Sequence, residues 1–149
     1  MTVTRLNPTK RTANLIAKQK QRVGLTSSYQ TVPWNMSGAI NPDGFTANSD
    51  GTFIYPPSWA KYVQVSASVL ANGVQPGQSV YMRVACGSNY YTFVPATSSS
   101  TGWLQVTTPS IVFPYSGSGY VYVSALNGSG SYGELNQFDF SALNITCWE

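Results

Sequence analysis

After residue 29 the chain alternates between hydrophobic and polar positions, and a period of two marks half-buried strands. Lys61-Tyr62-Val63-Gln64-Val65-Ser66-Ala67-Ser68-Val69 sets Val63, Val65, Ala67 and Val69 on one face. Ser79–Val84 and Tyr120–Ala125 repeat the pattern, and Thr52–Tyr55, Tyr90–Val94, Trp103–Thr107, Ile111–Phe113 and Phe138–Ile145 are shorter strand candidates. Turn signals punctuate them: Asn41-Pro42-Asp43-Gly44, Asn48-Ser49-Asp50-Gly51, Asn72-Gly73, Pro76-Gly77 and Asn127-Gly128. Many short strands with no helix between them predict an all-β sandwich or jelly roll over residues 29–149.

The first 28 residues read differently. Asn7-Pro8-Thr9 can open a short helix that Gly24 closes, with Leu15, Ile16 and Val23 as a thin apolar stripe. Arg5, Lys10, Arg11, Lys18, Lys20 and Arg22 fall in this segment with no acid among residues 1–22. The body carries Lys61 and Arg83 against Asp43, Asp50, Glu134, Asp139 and Glu149. A basic segment of charge +6 joined to a faintly acidic body predicts an N-terminal interaction arm over 1–28. Its cations and the Leu15-Ile16 pair are the candidate anchoring residues.

Composition sharpens the picture. Only 9% of the 149 residues are charged and 13% are aromatic, with a net charge of +3. Average proteins carry about 25% charged residues, and disordered chains are charged and poor in aromatics. A helical bundle also keeps a charged outer face. The low charge predicts surfaces packed against copies of the same chain. No apolar run reaches the ~20 residues of a membrane span, and the N-terminus lacks the apolar core of a secretory signal.

The polar faces of the strands are the candidate contact surface. Tyr62, Tyr81, Tyr120 and Tyr122 alternate there with Gln64, Ser66, Ser68 and Ser124, where a soluble monomer would place Lys and Glu. Tyrosine supplies apolar area together with a hydroxyl that needs a partner, which suits a subunit interface. A stacking platform for sugar rings and scattered surface tyrosines are the rival readings.

Catalytic chemistry has little to draw on. The absence of His removes the commonest general base and metal ligand. Asp43 and Asp50 sit in Asx-Gly turns, which explain them without a glycosidase pair. Asn41, Asp43, Asn48 and Asp50 miss the spacing of a calcium loop. No Gly-rich loop with a following Lys-Ser/Thr is present. Neither an enzyme nor a cofactor or metal is expected. Cys86 and Cys147 read as small buried hydrophobes, and sequence alone leaves their pairing open.

Ile40-Asn-Pro-Asp-Gly-Phe45, Asp50-Gly-Thr-Phe-Ile-Tyr-Pro56 and Ala60-Lys-Tyr-Val-Gln-Val65 resemble the first half of a C1q/TNF-like jelly roll. Tyr120–Val123, the Gly/Ser loop after it and Asn136-Gln-Phe-Asp-Phe-Ser141 resemble its closing strand. The resemblance covers about residues 29–149 and is closest to the versions on bacteriophage virion proteins, with Ala60-Lys61-Tyr62 replacing a usual Gly-Tyr. It implies a homotrimer packed through one sheet, located in the virion. The favoured expectation is a capsid decoration or head fibre knob held to other virion proteins by its arm. The alternatives are a tail-tip adhesin, with Trp103, Asn127 and Tyr132 in candidate receptor loops for a host surface glycan, and a small coat protein whose arm binds nucleic acid. The arm's modest arginine content weighs against nucleic acid as partner, and an unrelated carbohydrate-binding sandwich also stays open.

Overall fold

In the computed structural model, residues 11–40, 42, 44–99 and 102–149 are described. They form two antiparallel sheets packed face to face. The first is built on β6 (Tyr62–Val74), the longest strand. Along one side of it run β13 (Ala142–Trp148) and β12 (Glu134–Leu135), with β1 (Thr12–Ala17) outside β13 and β2 (Val23–Gly24) outside β12. Along the other side run β10 (Ile111–Pro114) and β9 (Gly102–Thr107). The second sheet is built on β11 (Val121–Asn127), flanked by β7 (Ser79–Cys86) on one side and by β5 (Ile54–Tyr55) and β3 (Gln30–Thr31) on the other. β8 (Asn89–Thr97) borders β7, and β4 (Thr46–Ala47) borders β5.

The core lies between the sheets and follows from the alternation. Val63, Val65, Ala67 and Val69 face Val80, Met82, Val84, Val121, Val123 and Ala125, all of them buried, with Trp34 and Phe113 as the largest rings. Each buried Val, Met or Phe among them contributes about 1.5–3 kcal/mol by leaving water, and each alanine about 0.8 kcal/mol.

Several strand ends differ from expectation. Asn72-Gly73 is not a turn: Gly73 adopts φ +79° at a register shift within β6, so the strand runs on through a bulge. Phe138–Phe140 forms a 3-10 turn, and the last strand starts only at Ala142.

The larger correction concerns the N-terminal segment. Among the described residues of the expected helix, 11–24, none is helical. Thr12–Ala17 is a strand, paired in register from Thr12 with Trp148 to Ala17 with Leu143. Leu15 and Ala17 are wholly buried in the chain's own core, so Leu15 is not an anchoring residue, and Ile16 lies on the opposite face, bonded through its backbone to Ile40. The alternation Ala13, Leu15, Ala17 is a strand pattern, and burial of that row outweighs any local helical tendency. The cations are also used within the fold: Lys18 Nζ meets Asp139 at 3.4 Å, Arg22 Nε meets Glu134 at 3.0 Å, and Lys20 Nζ donates to the Ser49 carbonyl at 3.2 Å. Arg11 Cζ lies 5.9 Å from the centre of the Trp59 ring, and its backbone amide donates to Glu149 at 2.9 Å. The charge contrast between segment and body is thus partly satisfied within the chain. Arg5 and Lys10 lie outside the described residues.

Candidate functional site

The sandwich presents two outward sheet faces of different character. On the first sheet, the outward residues of β6 are Tyr62, Gln64, Ser66, Ser68 and Leu70. Their neighbours are Asn144, Thr146 and Trp148 on β13, Asn14 and Ile16 on β1, Val112 on β10, and Trp103, Gln105 and Thr107 on β9. Over β1, β13, β9, β10 and residues 62–70 of β6, no outward residue is charged. Tyr62 and Trp148 stack at 5.7 Å, and Ser68, Thr107 and Gln105 share hydrogen bonds across the strands. Charges gather at the ends instead. Arg11, Lys61 and Glu149 stand where β6 begins, and the pairs Lys18–Asp139 and Arg22–Glu134 stand towards the other end. Four strand columns at ~4.8 Å and about nine residues of β6 at ~3.3 Å make a neutral surface of roughly 19 Å by 30 Å.

The second sheet's outward face is aromatic. Phe53 stacks on Tyr120 at 4.2 Å, Tyr55 meets Tyr120 edge-on at 5.6 Å, and Tyr120 lies 6.0 Å from Tyr122. Beside this cluster Arg83 stands on β7, with its guanidinium carbon 4.1 Å from the Tyr29 ring centre and 4.4 Å from that of Tyr90. The four tyrosines expected on one contact face are therefore divided: Tyr62 belongs to the neutral face, while Tyr81 and Tyr122 lie on the opposite sheet and Tyr120 stands beside Tyr122, just before β11. Alternation assigns a residue to an outer face but not to a sheet, and the separation follows from which strands pair.

Of the candidate receptor residues, Trp103 and Tyr132 are exposed, and both lie near the end of β6 where Asn72 pairs with Trp103 and Glu134. Asn127 is not available to a ligand. It is fully buried; its Nδ2 donates to Gln78 Oε1 and to the Tyr132 carbonyl, and its Oδ1 accepts from the Ser129 amide. It staples the loop that carries Tyr132.

The Asx-Gly segment at 48–51 behaves as a turn. Asp50 Oδ1 accepts from the Thr52 hydroxyl at 2.6 Å and the Thr52 amide at 3.1 Å, which holds its carboxyl below the usual range, and Asn48 Oδ1 caps the Phe53 amide. Asn41 and Asp43 lie outside the described residues. Among the described residues, no three His, Cys, Asp or Glu side chains gather as metal ligands. Cys86 and Cys147 are buried free thiols. Burial pushes the Cys86 thiol up to about 11, and burial with the neighbouring Cys86 pushes Cys147 up to about 12. No described helix is long and apolar enough to cross a membrane.

Arg83 and its two rings are the feature that sequence reading passed over. A lone cation on a strand's polar face between Tyr81 and Ala85 was the available signal, but Tyr29 precedes β3 in a loop and gives none.

No protein-family model matches the chain, and no curated protein matches it. Solved structures do. Murine APRIL aligns with a TM-score of 0.62 at 12% identity, covering 92% of this chain and 99% of that one. Eiger TNF from S. frugiperda gives 0.56 at 9% identity, with 91% and 92% covered. The vertex protein P5 of PRD1 gives 0.52 at 15% identity, with 93% and 95% covered. At these identities the likeness is one of fold alone: two antiparallel sheets packed as a sandwich, matching the TNF-like jelly rolls among these structures.

Proposed function

We propose that the chain is a virion structural protein, a homotrimeric knob that packs through the neutral face of its first sheet. One observation carries the assembly: a sheet face of roughly 19 Å by 30 Å without a charge, with the charges that flank this first sheet standing towards its two ends. A monomer gains nothing from such a face, whereas a subunit contact depletes charge at its centre and keeps aromatics there. A closed ring of three needs two complementary patches on each protomer. The neutral face is one of them, with the Tyr62–Trp148 stack as its anchor.

The virion assignment has separate support: the resemblance to phage virion domains and the architectural likeness to a protein named for a vertex. The fold also suits mounting. Arg11 stands where β6 begins, while Trp103 and Tyr132 lie near Asn72, ten residues further on and about 33 Å away at ~3.3 Å per residue. Residues before Arg11, including Arg5 and Lys10, are the proposed attachment to other virion proteins, with the far end displayed outward. Pairing of Lys18 and Arg22 with the chain's own acids leaves fewer cations for nucleic acid, which disfavours the coat-protein reading.

The test joins assembly to particle. Wild-type chain should sediment at three times its mass, and Gln64→Glu with Ser66→Glu should sediment as a folded single chain, because two unpaired charges then face the contact. Antibody labelling of purified particles should find the wild type and miss that variant. A monomeric wild type overturns the assembly, and its absence from particles overturns the virion role.

A further inference from the structure

We propose that the outward face of the second sheet is a binding site for a carboxylate-bearing sugar, with Arg83 as the carboxylate receptor and Tyr29 and Tyr90 as its walls. This goes beyond the assembly reading and uses the opposite face of the sandwich.

Arg83 occupies the middle of that face, opposite Ser124 on β11 and Thr92 on β8. It is the sole formal charge on the described outward positions of β7, β8 and β11. Among the described residues no carboxylate pairs with it: the two ion pairs of the fold use Lys18 and Arg22, and Asp50 is engaged by Thr52. Its Nε is buried with no hydrogen-bond partner. An arginine held in a strand between two rings, without a counter-ion, is a cation arranged before its anion arrives.

The geometry narrows what that anion is. Tyr29 and Tyr90 lie close enough to cover the guanidinium by cation–π contact. With Nε buried, a carboxylate would have to be met by the end bearing the two terminal nitrogens. That end presents parallel N–H donors suited to a planar carboxylate. Around it stand rings and hydroxyls rather than further cations: Tyr90 is 56% exposed, Tyr81 and Tyr122 are half-buried, and Thr92 is exposed. An acidic peptide with several carboxylates calls for several cations, and this face offers one. A sugar ring carrying a single carboxylate matches it better, since its C–H face stacks on tyrosine and its hydroxyls meet the tyrosine and threonine oxygens.

The full-length chain can be titrated by NMR with 3′-sialyllactose and tetragalacturonate, with lactose and the methyl-esterified tetragalacturonate as neutral counterparts, and with a glutamate heptapeptide. At least one acidic sugar should bind saturably and more tightly than its neutral counterpart. Arg83→Gln should weaken that binding at least about tenfold, the loss expected for a hydrogen-bonded charge. Arg83→Lys should not restore it, because an ammonium lacks the planar fork. Tyr90→Ala, at an exposed position that does not carry the fold, should weaken it without changing the melting temperature. The proposal is overturned if both acidic sugars bind no better than their neutral forms, if the heptapeptide binds more tightly than either sugar, or if Arg83→Gln and Tyr90→Ala leave affinity unchanged.

Discussion

Leu15 and Ile16 are neighbours in β1, yet they point to opposite sides of the first sheet, so substituting each separates folding from assembly. Leu15 is wholly buried and sits opposite Ile145 in the ladder. Replacing a buried leucine by alanine costs about 2–5 kcal/mol. β1 is the outermost strand on its side, so neighbouring chain can partly close the cavity, and about 2–3 kcal/mol is the expected loss. For a domain of this size each kcal/mol lowers the melting temperature by roughly 2–4 °C, which makes a fall of roughly 5–10 °C. Ile16 is half-buried on the neutral face, so Ile16→Ser should change the stability of a single chain by no more than about 0.5 kcal/mol. Assembly would confuse the comparison, because anything bound to the folded state raises its apparent stability. Both substitutions therefore belong in the Gln64→Glu, Ser66→Glu background, with melting followed by calorimetry, and in the wild-type background, with mass followed by sedimentation. Leu15→Ala should melt early in the first and remain trimeric in the second; Ile16→Ser should melt normally in the first and weaken the trimer in the second. Equal melting temperatures for the two single-chain variants would refute the inward and outward assignment of β1. So would a Leu15→Ala chain that melts normally and only fails to assemble, since β1 would then be a contact arm.

Gly51→Ala should destabilise by more than about 2 kcal/mol, because φ there is +78° and the added methyl would stand 2.2 Å from the Trp34 carbonyl oxygen; an unchanged urea midpoint would contradict the close approach of these two segments. The two thiols predict an alkaline loss of stability. Their folded values, about 11 and about 12, lie above the ordinary 9.0, so the unfolded chain releases these protons first and stability falls as pH rises through and beyond 9. The urea midpoint should hold from pH 7 to 8.5 and then decline, and a Cys86→Ala, Cys147→Ala chain that declines as steeply between pH 9 and 10 would remove the thiols as the cause.

The architecture was legible from residue 29 onward because its signals are local. Val63, Val65, Ala67 and Val69 alternate with polar residues, and all four enter the core. The bulge at Gly73 was not legible: Asn72-Gly73 serves a turn and a bulge equally well, and the pairing of Asn72 with Trp103 and Glu134 decides between them. The first strand was hidden for a related reason. Six residues, Thr12–Ala17, are too few for periodicity to separate strand from helix when Leu15 and Ile16 are adjacent. What fixes β1 is a partner more than 120 residues away, β13, and no local propensity encodes it. The same distance hid the tyrosine arrangement, since an outward position on β6 and one on β11 look alike in sequence but stand on opposite sides of the sandwich.

A chain with only 9% charged residues must place each charge where it serves. Two pairs and the Arg11–Glu149 contact stand towards the two ends of the first sheet, and none interrupts its neutral face. Charges at the rim of a contact oppose misregistered packing at little cost to its affinity, whereas a charge at the centre would have to be desolvated. Arg83 departs from that economy. It stands inside a face rather than at an end, it lacks an acid among the described residues, and cation–π contact offsets only part of the cost of its buried Nε. If the second face served only to pack against another subunit, a neutral side chain between Tyr29 and Tyr90 would stabilise the contact more. An unpaired guanidinium walled by rings is more useful where an anion comes and goes, and that asymmetry between the two faces is what the arginine and tyrosine substitutions measure.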